Sequence, residues 1–318
     1  MKILVTGGAG FIGANLVRRL QTMSQITDIV VVDDLTFGFR ENLNGTEATL
    51  IEGSILDEDL LMQAIAGASA VVHLAARSSV PRSIVDPMAT HENNATGTAL
   101  VLEAARQAGG TQVIVASSSS VYGSTDVLPK HEGLAARPIS PYAASKLASE
   151  SYALAWGTSY DIPVLALRFF NVFGPLQSPT HSYAAVIPAF LAAACQQQPL
   201  PVFGDGKQSR DFTFVETVVD VLCEAISERT SYLEPVNLAF GSQVTLLEIV
   251  AELEAIFDRE LPVDHHPART GDVYRSQADS ALLLELFPQL KPTDLTAGLR
   301  ATAEWFESAR PWEDRNKG

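Results

Sequence analysis

Short β-branched runs alternate with amphipathic stretches through the first half of the chain. KILVTG (2–7), DIVVVDD (28–34), ATLIEG (48–53), AVVHLA (70–75), QVIVAS (112–117) and PVLALR (163–168) read as strands. Their apolar positions run on almost unbroken, which marks strands buried on both faces of a parallel sheet. Between them, GANLVRRLQTM, LDEDLLMQAIAG and TGTALVLEAARQAG repeat apolar residues every three or four positions, as helices packed by one face do. A long helix is predicted from Tyr142 to about Tyr160, opened by Pro141. The expected fold class is α/β, with a doubly wound parallel sheet.

Past Arg168 the texture changes to Pro- and Gly-rich pieces, NVFGPLQSP and QPLPVFGDGKQSRDF, which suit a smaller C-terminal lobe over a ligand. Thr245 followed by Glu248 is a capping-box pattern, so a helix is predicted through EIVAELEAIF. Residues 1–168 are therefore expected to form the sheet domain, with a contribution from about 211–240. Residues 169–318 form mainly the lobe, and 309–318 reads as a frayed tail.

KILVTGGAGFIGANLV is a strand, a glycine turn and a helix, with Gly7, Gly10 and Gly13 at GxxGxxG spacing. Such a turn lets backbone amides approach a pyrophosphate and aims a helix N-terminus at it, the dinucleotide-binding arrangement of Rossmann domains. Asp33 and Asp34 end the second predicted strand, where a carboxylate can accept both ribose hydroxyls of an adenosine. Two carboxylates repel a 2′-phosphate and no arginine follows at once, so NAD is expected rather than NADP. Asp34 is equally readable as a solvent-facing turn residue.

Tyr142 and Lys146, in SPYAASK, share one helical face. A lysine cation beside a phenol favours the phenolate, so Lys146 is expected to lower the Tyr142 pKa from about 10 towards a usable base. Alone, YxxxK is most often a solvated helix face. Here it follows the glycine turn and a serine cluster, ASSSSVYG (116–123), at the carboxyl end of the fifth strand, where open α/β sheets bind ligands.

A chain of 318 residues with 47% hydrophobic and 19% charged content is ordinary for a globular protein. Its net charge of −15 argues against binding nucleic acid or an anionic membrane. Cys195 and Cys223 form no CxxC or metal-like spacing, so no metal site is expected. With no signal-like segment and no membrane-length apolar run, a cytoplasmic protein is expected.

The set TGGAGFIG, VVDDL, HLAA, NNATGT, SSSSVYG, SPYAASK, LRFFNVFGP, VFGDGKQSRDF and TGDVYRSQAD resembles an extended short-chain dehydrogenase/reductase, and within it the UDP-hexose 4-epimerases. The resemblance covers nearly the whole chain. It implies an NAD enzyme in which Tyr142 is the base, Lys146 its activator and Ser118 the triad serine. The sugar 4-hydroxyl loses its proton to the tyrosinate and C4 its hydride to NAD⁺; the 4-keto sugar turns over, and the hydride returns to the other face. By the same resemblance the cofactor is held by Gly7, Gly10, Phe11, Ile12, Gly13, Asp33, Asp34, Ser54, Ile55, Leu74, Ala75, Ala76, Tyr142 and Lys146. Asn93 would be the structural and proton-relay asparagine. Ser54 stands where the family usually has an adenine-contacting aspartate.

For the nucleotide sugar, the resemblance implies Asn171, with Arg210 and Arg269 on the UDP diphosphate and Val202 and Phe203 flanking the uracil. A packed apolar loop is the competing reading of the last two. Ser78, Ser118, Ser119, Ser120, Gln177 and Ala185 would line the sugar pocket. Ser276 replaces a bulky gatekeeper tyrosine, and SVPRSIVDP (79–87) and SYAAVIP (182–188) resemble epimerases of N-acetylated UDP-hexosamines, so both sugar types are expected substrates. Dehydratases carry Asp-Glu at Ser119 and Ser120, and related decarboxylases a glutamate at Ser120; serines supply neither acid nor base readily. The alternatives are another NAD-dependent nucleotide-sugar enzyme, such as a UDP-uronate 4-epimerase, and a non-enzymatic nucleotide sensor. A homodimer through helices at about 94–108 and 142–160 is also implied.

Overall fold

The computed structural model describes residues 1–179, 185–268 and 274–313. Six strands form where the apolar runs predict them: β1 (Lys2–Thr6), β2 (Asp28–Asp33), β3 (Thr49–Glu52), β4 (Ala68–His73), β5 (Gln112–Ser118) and β6 (Val164–Phe169). A short seventh, Val236–Leu238, pairs with β6 at the sheet edge. All pairings are parallel, in the order β3-β2-β1-β4-β5-β6 followed by the seventh strand. This is the doubly wound Rossmann sheet.

The reason the strands lack polar alternation is visible in the core. Ile3, Val5, Val31, Val72 and Leu165 pack into one hydrophobic cluster, and their neighbours Leu4, Val30, Val32, Val71 and Val164 into a second. Each strand therefore buries both of its faces under helices. The helices are α1 (Phe11–Leu20), α2 (Glu58–Ile65), α3 (Val80–Val85), α4 (Pro87–His91), α5 (Gly97–Gln107) and α6 (Pro141–Tyr160). Helix α6 starts at Pro141 because Ser140 caps it, its side chain accepting from Ala143 N at 3.1 Å. The strand order reverses between β1 and β4, and the crevice above that point is where such sheets bind ligands.

The C-terminal part contributes helix Val215–Ser227, which packs on α1, and a lobe built from helices Val186–Cys195, Leu246–Phe257 and Leu295–Ala309. The capping box at Thr245 forms as predicted: Thr245 N donates to Glu248 Oε2 at 2.7 Å and Glu248 N to Thr245 Oγ1 at 3.2 Å. Two buried polar side chains tie the lobe to the sheet edge. Asp211 accepts from Gly241 N, Ala278 N and the Ser242 hydroxyl at 2.9–3.0 Å. Asn237, on the seventh strand, donates to the carbonyls of Lys130 and Asp279 at 2.9 and 3.2 Å and accepts from the Tyr122 hydroxyl at 2.6 Å.

Candidate active site

One cavity of about 980 Å³ runs from the carboxyl ends of β1, β2 and β4 to the lobe. Its size, at the top of the range for small-molecule sites, suits two ligands end to end. At its floor β1 turns into α1 through Gly7, whose φ is +72°. A Cβ on Gly7 would lie 2.6 Å from Ala75 N, and one on Gly13 only 2.3 Å from Gly7 O. Only glycine lets the turn sit this close to the strand and the helix close onto the turn. The first turn of α1, Phe11 to Gly13, then faces the cavity.

Asp33 closes the same corner. Its carboxylate accepts from Ala9 N and Leu35 N, each at 2.9 Å, so it braces the glycine turn and the loop after β2 at once. Burial raises its pKa while these amides oppose the rise. Asp34 is exposed and accepts from Thr36 N at 2.9 Å. Ser54, Ile55, Leu74, Ala75, Ala76 and Asn93 also line the cavity.

At the carboxyl end of β5, Ser118 Oγ accepts from Ser120 N at 3.2 Å and from Ser120 Oγ at 2.9 Å. Ser118 is hydrogen-bonded to the Tyr142 phenol, and the bond favours the phenolate. With both acceptor sites in use, the Ser118 proton is the one left to give that oxygen. The expectation that Lys146 lowers the phenol pKa needs correction. Burial raises it, and the opposing influence is Ser118. The Lys146 ammonium donates to Ala116 O at 2.8 Å, and burial brings its own pKa down to about 8.

The relay role expected of Asn93 is divided. Asn93 stands on the cavity wall. Its neighbour Asn94, nearly fully buried, makes the fixing bonds: Nδ2 donates to Ser145 Oγ at 2.9 Å, and its carbonyl accepts from the hydroxyls of Thr98 and Ser149 at 2.5 and 2.8 Å. Thr98 also lies 3.0 Å from His73 Nε2, and Thr6 Oγ1 2.7 Å from Nδ1. A second buried group, also missed from sequence, joins β5, α6 and β6. Arg168 donates to Glu150 at 2.7 and 2.9 Å, and the Ser117 hydroxyl donates to the same carboxylate at 2.7 Å. The i+4 step from Lys146 to Glu150 and the step from Ser118 to Ser117 were the available signals.

At the lobe end, Ser78, Ser119, Ser120, Asn171, Gln177, Ala185, Arg210 and Ser276 all line the cavity. Asn171 Nδ2 donates to Asp211 O at 3.0 Å and Arg210 Nη1 to Ser209 O at 2.9 Å. Ser276 is 7% exposed and donates its N–H to Ser209 O at 3.1 Å. Val202 does not belong to the site: it is fully buried in the lobe core, so the packed-loop reading holds for it. Phe203 stacks on His266 at 5.0 Å, off the cavity wall. Arg269 and Ser182–Ala184 lie outside the described residues.

A glycine turn against a helix N-terminus, a carboxylate at the end of β2 and a Ser-Tyr-Lys group in one crevice define a dinucleotide-dependent enzyme of the Rossmann class. The model of the NAD dependent epimerase/dehydratase family matches residues 3–239. The chain belongs to this family. It is 34% identical over 314 residues to a UDP-glucose 4-epimerase of Mycolicibacterium smegmatis, covering 97% of this chain and 99% of that one. A dTDP-glucose 4,6-dehydratase of an Actinoplanes strain is 32% identical, covering 98% and 99%. Among solved structures, a UDP-N-acetylglucosamine 4-epimerase from Methanobrevibacter ruminantium M1, in complex with UDP-N-acetylmuramic acid, superposes with a TM-score of 0.91 at 34% identity, covering 97% and 98%.

Proposed function

We propose that the protein is an NAD-dependent 4-epimerase of UDP-hexoses, acting on UDP-glucose and UDP-galactose and on their 2-acetamido counterparts. The observation that carries this reading is the Ser118–Tyr142–Lys146 group opening on the same cavity as the glycine turn, with serines at 119 and 120. Relatives in the family include a dehydratase, so the choice between reactions rests on those two positions. Removing the 6-hydroxyl needs a carboxyl acid and a base beside the sugar, and two hydroxyls provide neither. When bound, NAD⁺ accepts and returns the C4 hydride.

The protein side of the reaction is proton handling and orientation. Tyr142 takes the 4-hydroxyl proton as the phenolate, the form that its bond to Ser118 favours against burial, and Ser118 passes protons between sugar and phenol. Lys146 keeps one N–H on Ala116 O and has two more to orient a ribose. Small Ser276 leaves space for a 2-acetamido group, and the similarity to a UDP-N-acetylglucosamine 4-epimerase supports that breadth. A homodimer belongs to the same proposal. Ile84, Val85, Met88, Tyr152 and Tyr160 are exposed on α3, α4 and α6, an apolar face that a second copy would cover. A sedimentation mass of one 34.1 kDa chain would remove that part.

The test is a panel of UDP-sugars with the C4 configuration of products read by proton NMR. Interconversion of 4-epimers is expected. Tyr142→Phe should lose at least about 1,000-fold in turnover while still binding NADH. A 6-deoxy-4-keto product, or undiminished turnover in Tyr142→Phe, would sink the reading.

A further inference from the structure

Arg77 and Arg82 line the main cavity beside the loop that follows β2. The Arg82 guanidinium lies 4.0 Å from the centroid of the Phe37 ring and that of Arg77 5.9 Å from it. Phe37 precedes Gly38, where a Cβ would meet Asp33 Oδ1 at 2.9 Å and backbone of Ala9 at 3.0 Å. The backbone next to the aromatic ring thus lies against the turn that opens α1. Arg77 is held from the opposite side: its N–H donates to Asn94 Oδ1 at 2.7 Å and its carbonyl accepts from Asn94 Nδ2 at 3.2 Å.

Among the described residues, the one carboxylate paired with either arginine is Asp86, 3.6 Å from Arg77 and half exposed. Arg77 Nε is buried without a partner. Burial and the neighbouring Arg77 charge both pull the Arg82 pKa down, so the two cations repel. Two guanidinium groups lie together on this cavity in a molecule of net charge −15, with Asp33, Asp34 and Glu92 lining the same cavity. A guanidinium lying on an aromatic face keeps its edge N–H donors free in its own plane, and that fork matches phosphate oxygens.

We infer that Arg82, seated on Phe37 and backed by Arg77, clamps the diphosphate bridge of the bound dinucleotide and slows its release. The inference deepens the reading of this cavity as an NAD site and rests on it. A reaction that returns its cofactor unchanged at each cycle gains from slow exchange. The clamp also lies outside the glycine turn, so it adds to the helix N-terminus without replacing it.

The experiment follows NADH release from the full-length protein by stopped-flow fluorescence, chasing with excess NAD⁺, and repeats it with NADPH. Arg82→Ala should release NADH roughly 10- to 100-fold faster, the range for losing a charged hydrogen-bonding partner. Arg82→Lys should recover only part of the loss, because a point charge lacks the fork. Phe37→Leu should fall between wild type and Arg82→Ala, since it removes the aromatic seat and keeps the charge. NADH release within about twofold of wild type in Arg82→Ala overturns the clamp. So does an effect confined to NADPH, which would place the arginine on a 2′-phosphate. Should Arg82→Ala fail to fold, Arg82→Lys and Phe37→Leu decide alone, and unchanged release in both overturns it. No sugar enters the measurement, so a failure of the clamp and a failure of the epimerase reading are separately visible.

Discussion

Glu150→Gln removes one negative charge from the buried group that joins β5, α6 and β6. Both side chains of the Arg168–Glu150 pair are 4% exposed, and their two bonds run in parallel at 2.7 and 2.9 Å. Glutamine keeps the shape and can still accept from Ser117, but its NH2 then faces an Arg168 N–H, so the change removes the charge and one of the two parallel bonds together. The Arg168 cation would then rest on the Tyr122 ring, 4.7 Å away, with its Nη1 already lacking a partner. Breaking a buried pair from one side costs about 3–5 kcal/mol. That is a large share of the roughly 5–15 kcal/mol by which domains are stable. Replacing both residues, Glu150→Met with Arg168→Met, avoids the stranded charge and is expected to cost less than the single change. Urea unfolding followed by tryptophan fluorescence measures both. A loss under about 1 kcal/mol in Glu150→Gln, or a double variant as unstable as the sum of the singles, would refute the reasoning.

Burial, with Lys146 adding to it, brings the His73 imidazole down to about 3. In the unfolded chain it titrates near about 6.5, so the unfolded state takes the proton first. Stability from this group is complete above that pH and is lost as pH falls towards 3, by about 2 kcal/mol at pH 5. Urea titrations at pH 8 and 5 should show the decline, and His73→Gln should flatten it; an equal decline in the variant removes His73 as the cause. Ser276→Tyr puts a phenol into a nearly buried position on the sugar side of the cavity. Turnover of UDP-N-acetylglucosamine is expected to fall roughly 100-fold while that of UDP-glucose is kept, a steric discrimination read from steady-state rates. Equal losses on both sugars would show that position 276 does not choose between them.

The six long strands were legible because burial on both faces leaves an unbroken apolar run in the chain. The seventh was not, since Val236–Leu238 is three residues long and includes the buried polar Asn237. The glycine turn, Asp33 and the Tyr142–Lys146 spacing could be read locally, because each is a short-range requirement of backbone or helix. What failed depended on where a side chain ends. Lys146 has the right spacing from Tyr142, but the spacing does not show that both side chains are buried, and burial raises the phenol. Asn93 and Asn94 are identical neighbours in NNATG, and only the helix geometry shows which one turns inward. Val202 is apolar and sits next to Phe203, and apolar character does not tell a ring contact from a core position. Arg82 meets Phe37 across 45 positions of chain with no shared motif to link them.

Asp211 and Asn237 hold the chain just after Ser276: Ala278 N is bound to the first and Asp279 O to the second. Neither anchor uses the side chain at position 276. The strip can therefore exchange its cavity-lining residue without moving the phenol or the glycine turn. On the proposed reading, selectivity becomes a replaceable insert on a constant chemical frame.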